Sequence, residues 1–355
     1  MNFEIISYDT VDKNVWDQLV VNSAEGWLYQ TSSWIDYAQN WGSRSLSFGI
    51  MSDRKELVAL CPLYLDTNRI MGLIPNRRLY TGMSGPIFSP SLGLNVKKRL
   101  WRKVADYIDS IAMENRADVL QVRCTSIANC NLPPLRSEIN PLWIVGISEP
   151  LYPIPVATLI LNITKSEDQL LAEMDGDCRA AIRQAERAGV SFRIGNSLED
   201  VELYEKIHRE SWQRTGLTPN PLKYFTEMWD RFGKNDNAKF IFAEHAGKAI
   251  AGVLIHIFKQ GVFYWGGCSI GEALRHRPNN YLLWSAITTA KQLGLSWFEV
   301  GQFQLHPGAN PKEYNVGKYK AQFGKDYYIP FEGQKTYTSK AEIIKILKKV
   351  LKRNK

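Results

Sequence analysis

Glu299, Lys318 and Lys320 fall within one stretch, Trp297 to Gly324, that reads WFEVGQFQLHPGANPKEYNVGKYKAQFG. Trp297-Phe298-Glu299-Val300 is a short apolar strand carrying a carboxylate, and it breaks at Gly301. A strand ending this way sets its carboxylate at a sheet edge, where open α/β sheets take their ligands. A polar loop with Pro307, Gly308 and Pro311 follows, and a long loop between regular elements is more often functional than not. Lys318 and Lys320, bracketing Tyr319, then bring mobile positive charge back to that edge, suited to a phosphate or an oxyanion. Gln302, just past the break, is a candidate for substrate contact. The same spacing also fits a bulge, a surface loop and two solvated lysines.

Two further basic groups have anion-binding spacing. Arg179, Arg183 and Arg187 recur at i, i+4 and i+8, forming one stripe of a helix capped by Asp175 or Asp177 and ended by Gly189. Like charges on one face repel by a few tenths of a kcal/mol per pair, which a bound phosphate or pyrophosphate would offset. A solvated face is the alternative. Arg275, Arg277, Asn279 and Asn280 stand just before a helix, where free N–H groups and the dipole favour an anion. Trp212, Arg214, Tyr264 and Trp265 are candidates to line an acceptor pocket, although aromatics more often pack a core. None of the five histidines has metal or triad spacing, and the five cysteines are scattered without a C-x-x-C pair, so no metal site is expected.

The elements that position these residues repeat. In the first half a helix with Trp16 and Leu19 precedes one capped at Thr31 or Ser32, with Trp34, Tyr37 and Trp41 on a face. A hairpin turns at Ser52 to Lys55, a glycine-broken strand follows around Gly82, and a helix opening near Asn95 leads to the strand Val119 to Val122. In the second half helices around Val201–Trp212 and Pro221–Phe232 precede a hairpin turning at His245 to Lys248. A glycine-broken strand at Gly266, a helix opening at Asn279 or Asn280, and the strand Trp297 to Val300 follow. Glu56 to Lys248, Gly82 to Gly266 and Leu120 to Glu299 are offset by 192, 184 and 179 residues. The sequence thus reads as two copies of one unit, residues 1–152 and 153–334, followed by a basic tail, 335–355.

A β–β–β–α–β order with a glycine-broken strand before the last helix resembles the GNAT acyltransferase unit, and two in tandem resemble the FemABX-like branch, which includes proteins of polysaccharide loci. Three segments carry the likeness: Arg179 to Val190, matching R-x-x-I-R-x-A-x-x-x-G-V; Phe298 to Gly301, FEVG where the family shows FDLGG; and Tyr319 to Gly324, matching [FY]-K-x-x-F-G. The resemblance implies an α/β (α+β) fold of two GNAT-like units, each a mixed, mostly antiparallel sheet flanked by helices. It implies a transferase with no tightly bound cofactor, using acyl-CoA or aminoacyl-tRNA as donor. The acceptor would be an amine on a sugar nucleotide or a lipid-linked cell-envelope precursor, of polysaccharide or peptidoglycan. Lys320 would stabilise the oxyanion and Tyr319 stand beside it; Glu299 would orient or deprotonate the amine, unless it is a strand carboxylate satisfied by amides. The coenzyme A pyrophosphate loop, Q/R-x-x-G-x-G/A, reads Arg275-His276-Arg277-Pro278-Asn279-Asn280 here, without either glycine. That departure sets ordinary acyl-CoA binding against a tRNA-borne donor.

The net charge of +8 is concentrated in the tail: Lys335 to Lys355 holds eight basic residues and one acid, leaving the rest near neutral. Ile343, Ile344, Leu347, Val350 and Leu351 recur there at helical spacing, opposite most of the lysines. Such an amphipathic helix suits an anionic membrane surface, a tRNA backbone, or docking as a structural cap. The N-terminus MNFEIISYDT lacks the pattern of a signal peptide, so the protein is expected in the cytoplasm, peripheral at the inner face of the membrane if the tail binds lipid.

Overall fold

The computed structural model describes residues 2–70, 74–133, 135–137, 139–152, 154–306, 311–341 and 343. It divides into two compact units: Met1–Pro155 with Pro330–Lys355, and Val156–His306 with Pro311–Ile329. In chain order, β1 (Phe3–Ser7), α1 (Lys13–Asn22), α2 (Ser32–Asn40), β2 (Arg44–Ser45), β3 (Phe48–Ser52), β4 (Leu57–Cys61), β5 (Tyr64–Ile70), β6 (Ile74–Tyr80), β7 (Ile87–Phe88), α3 (Leu94–Glu114) and β8 (Val119–Arg123) build the first. The second follows with β9 (Val156–Asn162), α4 (Glu167–Glu173), α5 (Gly176–Arg187), β10 (Ser191–Ile194), α6 (Leu198–Thr215), α7 (Leu222–Met228), β11 (Ala238–His245), β12 (Lys248–Phe258), β13 (Gly261–Ser269), α8 (Pro278–Gln292), β14 (Trp297–Gln304), α9 (Pro311–Ala321) and β15 (Tyr327–Tyr328). The last strand, β16 (Glu332–Thr336), returns to the first unit and pairs antiparallel with β8. Residues counted from sequence as the end of the second unit and the start of a tail are therefore an edge strand of the first.

In the first unit the sheet is split. Pro62 offers no N–H to a ladder, and the chain passes there from β4, in the order β1-β3-β4-β7, to β5, in the order β16-β8-β6-β5-β2. Leu100, Val104, Ile108 and Ile111 of α3 are buried among Phe48, Ile50, Leu79, Leu120 and Val122. Their spacing is that of one helical face, and Gly93 rather than Asn95 caps the helix. Thr31 caps α2 by accepting from the Trp34 amide, and the rings of Trp34 and Tyr37 lie 5.4 Å apart.

The second unit is one seven-stranded sheet, β10-β11-β12-β13-β14-β9-β15. Alternate residues of β11 serve its two faces. Phe240 and Phe242 meet Tyr204 of α6, while Ile241 and Ala243 join the cluster with Leu282, Leu283, Ala286 and Ile287 of α8. All pairs are antiparallel except β13–β14, and that ladder has three rungs, the last being Phe263 opposite Glu299. Beyond it the two strands run on without pairing. Gly301 does not end β14 as expected: at φ +79° it forms a bulge, and the strand resumes opposite β9 at Gln302–Thr158. Left-handed backbone costs a residue with a Cβ roughly 1–2 kcal/mol, so glycine suits this place.

Candidate active site

The gap where β13 and β14 part is closed by α9. Its Lys318-Tyr319-Lys320 lie on the last helical turn, where the sequence suggested loop. Gly317 lets the helix approach β14 closely: a Cβ there would stand 3.2 Å from the Phe303 Cβ. Phe323, just past the helix, is 1% exposed, and burying such a ring contributes about 2 kcal/mol toward holding α9 down. Tyr319 adds a polar tie, its hydroxyl donating to the Asn279 carbonyl at 2.8 Å, at the opening of α8. Tyr319 is thus engaged in placing its neighbour.

Lys320 is directed into the gap. Its Nζ donates to the Gln302 carbonyl at 3.1 Å and lies 5.7 Å from the centre of the Tyr264 ring. A Cβ on residue 301 would come within 3.0 Å of that Nζ. Burial lowers the Lys320 pKa to about 8, and the Glu299 carboxylate acts against this shift. Glu299 itself is 3% exposed, and its Oε1 accepts from the Thr158 hydroxyl of β9 at 2.8 Å. Tyr264 is held by close packing, since a Cβ on Gly267 would collide with its hydroxyl, and burial raises its pKa. An ammonium that is still charged at neutral pH, beside a carboxylate and a backbone break, can receive a developing oxyanion.

Of the residues expected at a site, the structure brings Glu299, Gln302, Lys320 and Tyr264 together. Others are engaged differently. Arg179 donates to the carbonyls of Leu171 and Met174, capping the end of α4, while Arg183 is exposed on the same stripe. Asp175 occupies the N-cap position of α5 without a side-chain bond to it. Asn280 reaches Cys178 Sγ and Gln322 Oε1, both at 3.5 Å, and α8 opens at Pro278 after Arg277 at φ +54°. Arg214 donates to the Ser269 carbonyl at 2.9 Å, Trp212 lies 4.4 Å from the His208 ring, and Trp265 lies 4.8 Å from that of His256. Lys318 is exposed, with its Nζ 5.0 Å from its own helix's Tyr314 ring. Thr158 was missed; a polar residue inside the apolar run Val156 to Ile163 was its sequence signal.

Residues 173–315 match the model of the acetyltransferase (GNAT) domain family. UDP-N-acetylmuramoylpentapeptide-lysine N(6)-alanyltransferase of Weissella viridescens is 25% identical over 112 residues, 31% of this chain and 33% of that protein. Over residues 173–315 the chain thus resembles a GNAT transferase domain, and its likeness to the alanyltransferase is to a Fem-type member of that group. The match thus spans about a third of the length of the curated relative. Among solved structures, FemX superposes with a TM-score of 0.71 at 13% identity, over 98% of this chain and 99% of that one. A tandem GNAT protein of the clavulanic acid pathway gives 0.52 at 12% identity, over 94% and 98%. At these identities the likeness shows the fold alone, two GNAT-like units in tandem.

Proposed function

We propose that this GNAT protein transfers an acyl or aminoacyl group from an activated donor to an amine of a cell-envelope precursor, through the gap between β13 and β14. The observation supporting this reading is the Lys320 ammonium, fixed by the Gln302 carbonyl at 3.1 Å beside the bulge at Gly301. The donor carbonyl would lie against it. The acceptor amine attacks that carbon, charge develops on the oxygen, and Lys320 stabilises it; the leaving group then departs as the carbonyl re-forms. The proton lost by the amine passes to solvent or to the leaving group, the ester oxygen of a tRNA or the sulfur of a thioester, and Glu299 holds local charge balance. The reaction runs directly between bound donor and acceptor. None of the cysteines is prepared as a nucleophile: burial raises the pKa of Cys178 to about 11 and of Cys268 to about 12.

Two features favour an aminoacyl-tRNA donor over an acyl-CoA. The loop before α8 lacks both pyrophosphate-loop glycines, and Asn279 and Asn280 at the head of α8 are engaged in packing α9 and α5. The alanyltransferase likeness points to a precursor amine as acceptor, on a nucleotide or lipid carrier. The deciding experiment incubates the protein with labelled alanyl-tRNA or acetyl-CoA and a peptidoglycan precursor bearing a free side-chain amine. Transfer from tRNA that is lost in Lys320→Ala supports the reading; transfer from acetyl-CoA alone overturns the donor assignment. No helix among the described residues is long and apolar enough to cross a membrane. Of the basic tail, residues 335–355, positions 342 and 344–355 lie outside the described residues, and with them most of the amphipathic stripe.

A further inference from the structure

We infer that the first half of α3, in the first unit, is a docking surface for an anionic lipid bilayer. This rests on features independent of the transfer chemistry. Between Leu94 and Ala105 the helix carries Lys97, Lys98, Arg99, Arg102 and Lys103 and no acid; Asp106, Asp109 and Glu114 follow in its second half. At its two ends that layout opposes the helix dipole, with Lys97 in the first turn and Glu114 in the last. The local energetics of the helix therefore do not explain it. Nor do ion pairs: Lys97 meets Glu25 at 3.4 Å, but Lys98, Arg102 and Lys103 have no acidic partner within ion-pair distance among the described residues.

The same turns shape a recess. Arg99, Arg102 and Lys103, with Asn2, Phe3 and Asp106, line an open hollow of about 430 Å³, and the Arg99 guanidinium lies 5.3 Å over the Phe3 ring. Three cations around one hollow suit a phosphate headgroup, with the single acid leaving the site positive. Leu94 stands at the head of the helix, 78% exposed. A lone exposed leucine is ordinary. One that shares a helical stripe with Lys98 and Arg102, at i+4 and i+8, has the composition of an interfacial helix, with an apolar tip for the acyl boundary and cations for the headgroups. A polynucleotide would use the cations and leave the leucine in water, so the bilayer is the better fit.

The test is sedimentation of the full chain with phosphatidylcholine vesicles, with and without phosphatidylglycerol. The wild type should sediment with the anionic vesicles and stay in solution with the neutral ones. Each basic residue at an anionic surface is worth about fivefold in partitioning, so Lys98→Glu with Arg102→Glu should weaken it by at least about 30-fold. Leu94→Ser should cost roughly tenfold and leave the salt dependence of the remainder unchanged. Melting temperatures should not move, as these side chains are exposed; the milder Lys98→Ala with Arg102→Ala serves if the reversal unfolds the protein. Wild type that ignores anionic vesicles, or a charge-reversed variant that binds like wild type, overturns the inference. So does a chain cut after Ile343 that loses all binding with Lys98 and Arg102 intact. A tRNA gel shift lost in the variant, with no vesicle binding in the wild type, would reassign the face to nucleic acid.

Discussion

The two units place the same secondary-structure frame around different contents. In each, a strand, a helix and a second strand make a short parallel ladder, β6–α3–β8 and β13–α8–β14, and the second strand also pairs antiparallel with another, β16 or β9. The last rungs are Tyr80–Gln121 and Phe263–Glu299, so Gln121 corresponds to Glu299 and Arg123 to Gly301. Past those rungs the first unit is stitched shut. The Thr81 amide donates to the Gln121 carbonyl at 3.1 Å, the Arg123 amide to the Thr81 hydroxyl at 3.2 Å, and the Thr125 hydroxyl to the Met83 carbonyl at 2.9 Å. Arg123 itself lies 3.5 Å from Glu332 and donates to the Tyr152 hydroxyl. In the second unit a glycine replaces the arginine, and a lysine from α9 enters. On the proposed reading, the frame alone is not catalytic. A residue lacking a side chain, a helix that returns a cation, and a carboxylate beside it are what distinguish the candidate site from the closed seam.

Lys320→Ala should separate the two seams most strongly. If the ammonium stabilises the oxyanion, its loss should reduce kcat by about two to three orders of magnitude with little change in Tm. Arg123→Ala, at the matching seam, should do the reverse. It removes the contact between Arg123 and the nearly buried Glu332 and the bond to Tyr152, so Tm should fall by several degrees while turnover per folded molecule holds. Equal kinetic effects from the two would mean that both seams serve catalysis.

Gly301→Ala comes next. The substitution imposes a Cβ at φ +79° and within 3.0 Å of the Lys320 Nζ. It should destabilise by roughly 1–2 kcal/mol and, by displacing the ammonium, lower turnover about tenfold more than stability accounts for. Unchanged kinetics would show that Lys320 tolerates displacement and that its contact with Gln302 does not define the active geometry. A smaller contrast lies on α5. Arg183→Ala should raise KM a few-fold, with the effect shrinking as salt rises, because an exposed cation acts through screened attraction. Arg179→Ala should instead lower Tm, since its guanidinium satisfies carbonyls at the end of α4. If both respond to salt alike, the stripe binds substrate as a whole.

Much of this was legible in the sequence because period and punctuation carried it. The hairpins, the helix opening near Asn95 and the repeat of glycine-broken strand, helix and strand follow from local patterns that tertiary packing did not override. The site was legible only in part. Glu299 was marked by residue type near a glycine and Lys320 by its match to the [FY]-K-x-x-F-G ending, but Gly301 read as the end of a strand because a bulge and a stop look alike from one side of the ladder. Arg179 read as an anion ligand because spacing reveals a helical stripe and not which carbonyls lie beneath it. The return of β16 to the first unit was not readable at all: which sheet an edge strand completes is a long-range pairing with no local signature.

The finest test turns the carboxylate of the second unit into the amide of the first. Glu299→Gln keeps an oxygen to accept from the Thr158 hydroxyl, so the fold should hold. What it removes is the charge opposing the desolvation of Lys320, whose pKa is about 8. The sign follows directly. Burial favours the neutral amine and Glu299 the ammonium, so without Glu299 the pKa falls below 8 and the lysine loses its proton at lower pH. If the charged lysine is the catalytic form, wild-type kcat should decline as pH rises through about 8, with kcat at constant saturation read in a buffer series. In Glu299→Gln that decline should move to lower pH, leaving acid-side turnover near wild type and neutral-pH turnover a few-fold down. In Lys320→Arg the decline should vanish, because a guanidinium does not titrate in this range. A limb that stays in place in Glu299→Gln would mean the carboxylate does not tune the lysine. A limb that persists in Lys320→Arg would assign the titration to the acceptor or to another group, and with it remove the main electrostatic distinction drawn between the two seams.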